Sequence, residues 1–153
     1  VLATFADAQV IAGYMPIRTE VSPLATMTIL HGQGKRICVP VIVAAGQALV
    51  FREWTPSTDM IDGPFGAKVP AVGNDLDPDV LICPLLAFDK KGYRLGYGGG
   101  FYDRSLEGLR AMNKGVAVGF AYEAQKVKTV PTEPTDQKLD AMVTEAQVIR
   151  FKR

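Results

Sequence analysis

The stretch Arg94-Leu95-Gly96-Tyr97-Gly98-Gly99-Gly100-Phe101-Tyr102-Asp103-Arg104 constrains this chain more than any other. It holds four glycines, with an arginine at each end and an aspartate beside the second. Upstream, the apolar run Val80–Phe88 reads as one buried central strand. Downstream, Tyr102, Leu106, Leu109 and Met112 recur at helical spacing and predict a helix running to about Asn113. Buried strand, short polar turn at Asp89–Tyr93, glycine loop and helix follow in that order. This is the layout of an anion-binding loop that feeds a helix N-terminus.

The rest of the chain repeats the alternation of strand and helix. Gln9–Met15 reads as a short buried strand ended by Pro16, and the preceding Val1–Ala8 as a helix remnant. Ser22-Pro23 predicts a helix start, with serine as the cap and proline in the first turn. Leu24, Met27, Leu30 and His31 continue that helix until Gly32 and Gly34 stop it. Arg36–Val43 is a second strand whose Pro40 points to an edge or bulge. A turn at Ala44–Gln47 leads to a third, antiparallel strand at Ala48–Trp54. Thr55–Asp79 is rich in proline, glycine and aspartate and reads as irregular. Further strands are expected at Val116–Tyr122 and Ala146–Phe151, with an irregular segment at Thr129–Leu139. The alternation predicts one α/β domain with a mostly parallel open sheet flanked by helices, a Rossmann-like three-layer arrangement. In such sheets ligands meet the loops that follow the carboxyl ends of the strands. Glu20 lies in one such loop.

Composition narrows the function classes. With 153 residues, 48% hydrophobic and 22% charged, the chain can bury a sizeable core. A net charge of +1 gives no electrostatic case for nucleic acid or a membrane surface as partner. No apolar run approaches a membrane span, and a cytoplasmic monomer is expected. Cys38 and Cys83 sit in apolar strand-like runs and read as buried reduced thiols. His31, the one histidine, reads as structural or surface-exposed, and Trp54 as core or pocket wall. Phe65, between Gly63-Pro64 and Gly66, is the aromatic best placed to stack on a ligand.

The glycine loop fits neither common nucleotide fingerprint. Position 101 is phenylalanine where a dinucleotide-binding G-x-G-x-x-G needs glycine, which argues against a dehydrogenase, and no Walker A pattern occurs. The physics is still that of an anion cradle. Glycines let the backbone approach and aim N–H groups at the anion, and the helix adds partial positive charge. Arg94 and Arg104 would add charge-assisted contacts to phosphate oxygens. Asp103 falls off the apolar stripe with Glu107, Arg110 and Lys114, so it projects from the core at the loop end of the helix. Two readings stand: a ligand to magnesium, which takes one or two carboxylates plus phosphates, or a favourable charge in the first helical turn.

This loop, preceded by Pro84-Leu-Leu-Ala-Phe-Asp89 and Gly92, resembles the signature of the 5-formyltetrahydrofolate cyclo-ligase family. Tyr14-Met-Pro-Ile-Arg-Thr-Glu20 resembles the family's substrate-binding turn, and Val130-Pro-Thr-Glu-Pro-Thr-Asp136 with Leu139-Asp140 its C-terminal motif. The resemblance implies a ligase that uses ATP and magnesium to convert 5-formyltetrahydrofolate into 5,10-methenyltetrahydrofolate, with ADP and phosphate released. It implies that Arg94, Leu95, Gly96, Tyr97, Gly98, Gly99, Gly100, Phe101 and Tyr102 line the ATP phosphates. Arg94, Arg104 and Asp103 would be catalytic, Asp103 and Asp136 would hold Mg2+, and Met15, Glu20 and Phe65 would bind the folate.

Two departures from the family pattern stand out. Members often carry a lysine where Gly99 stands, so a phosphate contact is either absent or supplied by Arg104 or Lys90. Members also begin with a basic helical segment that serves the ATP site. This chain opens at Val1, and a single domain over residues 1–153 lacking that segment is expected. These departures support an alternative, a non-catalytic nucleotide- or folate-binding module on the same fold.

Overall fold

The computed structural model describes residues 6–17, 19–63, 67–96 and 99–151. Of the sequence expectations, most of the helix remnant at Val1–Ala8 and all of Phe65, Tyr97 and Gly98 fall outside the described residues. The elements are β1 (Val10–Ala12), α1 (Leu24–Gly32), β2 (Arg36–Val41), β3 (Val50–Trp54), β4 (Met60–Asp62), β5 (Lys68–Pro70), β6 (Val80–Cys83), β7 (Ala87–Phe88), β8 (Arg94–Leu95), α2 (Phe101–Ala111), β9 (Val116–Phe120), β10 (Ala141–Val143) and β11 (Val148–Arg150). A single 3-10 turn, Glu123–Gln125, follows β9.

Seven strands form the main sheet in the order β11-β10-β9-β6-β1-β2-β3. The pairs β1–β2, β1–β6, β6–β9 and β9–β10 are parallel, and the edge pairs β2–β3 and β10–β11 are antiparallel. The mostly parallel sheet expected from the sequence is therefore present. Strand residues alternate between two faces, and each face is covered by one helix. Ile11, Ile37, Val80 and Ile82 pack in one cluster with Met27 and Leu30 of α1. Ala12, Cys38, Leu81 and Cys83 pack in another with Leu106 and Leu109 of α2. These two apolar layers around one sheet make the three-layer architecture. Both thiols are free and buried inside it. Trp54 is buried too, opposite Ile37 across the β2–β3 pair. It belongs to the core.

Several boundaries differ from expectation for physical reasons. The run Val80–Phe88 is not one strand. Pro84 cannot donate to a ladder, so β6 stops at Cys83 and the chain re-enters a separate two-stranded hairpin, β7–β8. Leu85 and Phe88 remain buried beyond the break, which is why the apolar run looked continuous. Thr55–Asp79, expected to be irregular, contains the antiparallel hairpin β4–β5. In the stripe predicted for α2, Leu106 and Leu109 are buried, but Met112 is half exposed. The helix ends before it, and Asn113 turns the chain at φ 59°. Helix α1 begins one residue later than expected, with Pro23 rather than Ser22 at the cap.

The order of the sheet reverses between β1 and β6. From β1 the chain crosses by α1 to β2 on one side, and from β6 it crosses by α2 to β9 on the other. The loops leaving β1 and β6 therefore part at their carboxyl ends, and that opening is where a ligand enters this kind of sheet.

The opposite end of the same strands is closed by Asp79. Its Oδ2 accepts the N–H groups of Gln9 and Val10, each at 3.0 Å, and its Oδ1 accepts from Lys114 Nζ at 3.0 Å. Burial pushes this carboxyl up, but the Val10 and Gln9 amides and the Lys114 ammonium outweigh burial and hold it below its ordinary value. A depressed carboxylate stabilises the fold above its unfolded pKa, near about 4, and loses that contribution as pH falls through the folded value. Asp79→Ala should cost about 1–3 kcal/mol at neutral pH in urea denaturation. The gap to wild type should close in acid below about pH 4. A gap that does not change with pH would show that the carboxylate charge contributes nothing.

Candidate active site

A cavity of about 1060 Å³ opens at the divergence of β1 and β6. Its walls come from parts of the chain that are far apart in sequence. The segment after β1 contributes Tyr14, Met15, Ile17 and Glu20, and Pro84 marks the end of β6. Arg94 to Gly96 and Gly99 to Arg104 supply the glycine loop and the start of α2. Pro131 to Glu133, with Thr135 and Asp136, come from the stretch before β10.

The turn that carries Glu20 is held by its own polar groups. Glu20 Oε1 accepts the Ile17 N–H at 2.8 Å, and the Glu20 N–H donates to the Ile17 carbonyl at 3.1 Å. The buried Tyr14 hydroxyl donates to the Val21 carbonyl. Met15 is half-buried on the same wall. This side of the cavity is apolar apart from a fixed carboxylate, which suits a flat aromatic ring with a donor-rich edge.

The glycine loop presents the cationic side. Arg94 reaches back under the loop, with Nη1 3.3 Å from the Pro84 carbonyl and its guanidinium 4.9 Å from the centroid of Tyr102. A Cβ at Gly96 would lie 2.8 Å from Arg94 Nη1, so a side chain there would make the guanidinium shift. Gly100 sits at φ 68° as the residue that starts α2, a left-handed conformation that glycine adopts without strain. Arg104 folds back over the loop, donating to the Gly99 carbonyl at 2.9 Å and lying 5.8 Å from the Phe101 ring. A Cβ at Gly99 would meet the Phe101 ring at 2.4 Å. Phe101 therefore fills the space that a side chain at 99 would need, and the Arg104 guanidinium is the cation at that point of the loop. Leu95 is exposed on the cavity rim.

Among the described residues, Arg94 Nε and the Tyr102 hydroxyl at the loop are buried without a hydrogen bond. Burial holds the Tyr102 phenol well above the usual tyrosine range, so it stays protonated. Cys83 lies at the end of β6 near this group, and burial pushes its thiol up to about 11, which rules it out as a thiolate nucleophile at neutral pH.

Asp103 and Asp136 line the same cavity. Asp103 is half-buried rather than simply solvated, because the segment before β10 packs over its face of α2. Its Oδ1 accepts the Gln137 N–H at 2.9 Å. Asp136 Oδ2 accepts the Glu133 N–H at 2.9 Å. Each carboxylate thus has one oxygen fixed by a backbone amide and a second with no protein hydrogen bond among the described residues. Among those residues no group of three or more His, Cys, Asp or Glu side chains is drawn together. Carboxylate oxygens are hard donors, the chemistry that magnesium takes when waters and phosphate oxygens complete its shell.

Sequence reasoning did not identify some residues that shape this site. Ser105 Oγ accepts the Leu49 N–H at 2.9 Å and donates to the Phe101 carbonyl at 2.7 Å, tying the β2–β3 turn to the first turn of α2. Ala67 and Val69 of the β4–β5 hairpin add a wall that had been read as irregular. The carboxylate of Asp89, treated as part of a polar turn, is buried and bonded across to Val130. In each case the partner is distant in sequence and carries no local signal.

Comparison with known proteins identifies the family. The family model described as "5-formyltetrahydrofolate cyclo-ligase family" matches residues 1–145. A 5-formyltetrahydrofolate cyclo-ligase of Haemophilus influenzae is 40% identical over 142 residues, covering 87% of this chain and 74% of the relative. That of Escherichia coli strain K12 is 35% identical over 148 residues, covering 92% and 80%. Among solved structures, the 5,10-methenyltetrahydrofolate synthetase of Aquifex aeolicus matches with a TM-score of 0.81 at 31% identity, over 99% of this chain and 76% of that one. The synthetase of Mycoplasma pneumoniae matches with a TM-score of 0.69 at 26% identity, over 89% and 73%. The cavity lies where three separate segments of such a sheet converge, and the chain belongs to the 5-formyltetrahydrofolate cyclo-ligase family.

Proposed function

We propose that this chain closes the ring of 5-formyltetrahydrofolate to give 5,10-methenyltetrahydrofolate, driven by ATP. The formyl oxygen takes the γ-phosphoryl group from ATP, and ADP is released. The neighbouring folate nitrogen then attacks the activated formyl carbon, and the C–O bond breaks with loss of phosphate. An amide-like oxygen is a poor leaving group until it is phosphorylated. The protein's contribution is therefore positioning and charge neutralisation rather than covalent chemistry.

The observation that carries this reading is that the glycine loop with its two arginines, the two aspartates and the Glu20 turn all line one cavity. Arg94 and Arg104 neutralise charge on the transferring phosphoryl group, and the loop from Arg94 to Tyr102 cradles the triphosphate. Glu20 accepts hydrogen bonds from the pterin edge while Met15 packs on its face. Asp103 and Asp136 would hold Mg2+, which would supply positive charge to offset that of the phosphates. Their backbone-anchored geometry supports that role, because each carboxylate is oriented before a cation arrives. A cytoplasmic location belongs to the same proposal, since the two buried free thiols suit a reducing compartment. No helix among the described residues is long and apolar enough to cross a membrane. The retained arginines and aspartates favour a working enzyme over a decayed binding module.

Protein incubated with ATP, Mg2+ and 5-formyltetrahydrofolate should generate the methenyl chromophore with one phosphate released per product. Absence of chromophore with all three present would end the proposal. Asp103→Asn should lower kcat by about a hundredfold, the scale on which loss of one charge-stabilising group acts. It should leave the circular dichroism spectrum unchanged, and wild-type turnover in this variant would remove Asp103 from the metal site. Glu20→Gln keeps an oxygen for the Ile17 amide but turns the other acceptor into a donor. It should raise KM for the folate roughly tenfold with KM for ATP unchanged, and equal effects on both substrates would argue against a pterin contact.

A further inference from the structure

Asp89 is among the few charged side chains in this fold that are almost fully buried, with 2% of its surface exposed. Its charge is met by three backbone amides. Oδ1 accepts the N–H groups of Lys91 at 2.9 Å and Tyr93 at 3.2 Å. Oδ2 accepts the N–H of Val130 at 3.0 Å. The first two bonds close the β7–β8 hairpin on itself, and an asparagine oxygen could make them equally well. The third crosses to a segment 41 residues away. Only a carboxylate presents acceptors in both directions.

What this bond joins is specific. Arg94 follows Tyr93 directly, so the hairpin side of the bond sets where β8 and the glycine loop begin. Pro131 follows Val130 directly, so the other side sets where the wall carrying Glu133 and Asp136 begins. Val130 is itself buried, while Pro131 to Thr135 are exposed. Backbone bonds reinforce the seam, from the Val127 N–H to the Phe88 carbonyl and from the Leu139 N–H to the Gly92 carbonyl, each at 2.8 Å. At its far end the same segment is gripped by α2. There Asp103 holds the Gln137 amide, and Arg110 bonds the Lys138 carbonyl at 2.7 Å and Asp140 Oδ2 at 3.1 Å. The Asp136 wall is thus a short exposed span pinned at both ends, and Asp89 is the side-chain pin nearest the arginine loop.

We infer that Asp89 is a positioning residue that sets the spacing between the Arg94 loop and the Asp136 wall, and so governs how the site takes a nucleoside triphosphate together with its divalent cation. The inference rests on the cyclo-ligase reading above and adds a residue to it. Asp89 acts through its backbone partners and touches no substrate.

Asp89→Asn tests this. It keeps the volume and the hairpin acceptor but turns an N–H donor toward the Val130 amide. KM for ATP and the half-saturating Mg2+ concentration should each rise roughly tenfold, the loss expected of one charge-assisted hydrogen bond. KM for 5-formyltetrahydrofolate should stay within about twofold of wild type. An unchanged dependence on ATP and Mg2+, or a parallel loss for both substrates, would overturn the inference. Wild-type protein supplies a second measurement that does not depend on the variant folding. Amide exchange across 130–136 should slow on adding ATP and Mg2+ and not on adding the folate alone, and no slowing with ATP and Mg2+ would also overturn it. A wild type that makes no methenyl product would instead defeat the functional reading, so the two failures are distinguishable.

Discussion

The parallel pairing of β1 with β6 is the constraint on which the rest of this molecule depends. It sets Ile11 beside Val80 and Ala12 beside Leu81, so two strands 69 residues apart in sequence end side by side. From that seam the chain leaves in opposite directions, with α1 covering one face and α2 the other. Backbone groups at strand ends are freed from the ladder there, and a concave opening follows from the geometry alone. The Tyr14–Glu20 segment and the Pro84–Arg104 segment reach the cavity because they leave those two strand ends. The apolar layers on each face, Met27 with Ile11 and Leu106 with Leu81, hold the seam in register. A slip of one residue would exchange Ile11 for Ala12 between the two layers and disrupt both.

The glycine loop illustrates how much a local motif can and cannot tell. Part of its chemistry was readable: successive amides and two guanidiniums point to an anion, while the carboxylate at the helix start left two readings open, a cation ligand or a favourable first-turn charge. The helical wheel also gave the direction of Asp103. It could not show what packs against that face, because Gln137 is 34 residues away. Apolar runs misled at Pro84, where burial continues through Leu85 and Phe88 although the strand has stopped. Periodicity also cannot find strands of three residues such as β4 and β5, whose side chains are mostly exposed on β4. Glu20 and Asp136 were reached only through family resemblance, since an isolated loop carboxylate has no local signature. Ser105 and Asp89 were missed because their importance lies in partners 56 and 41 residues distant.

The departure at Gly99 has a physical counterpart in this structure. The Phe101 ring occupies the position from which a side chain at 99 would grow, and Arg104 lies over that ring with a hydrogen bond to the Gly99 carbonyl. A longer side chain at 99 would displace Phe101 and with it the platform for the guanidinium. Arg104 stands on the helix side of the loop, where its guanidinium adds to the partial charge of the helix N-terminus.

The carboxylates around the cavity share one economy. Glu20, Asp103 and Asp136 each commit one oxygen to a backbone amide of a nearby or facing segment. A carboxylate held this way has lost its rotamer freedom at folding rather than at ligand binding, so less entropy remains to be lost when a cation or pterin arrives. Asp89 carries this arrangement to its limit, with both oxygens committed and none turned to the cavity. Its position at the seam between hairpin and wall then follows from the same logic. Asp103 and Asp136 each keep an oxygen with no protein hydrogen bond among the described residues, whereas Asp89 keeps none and can only fix the groups around it.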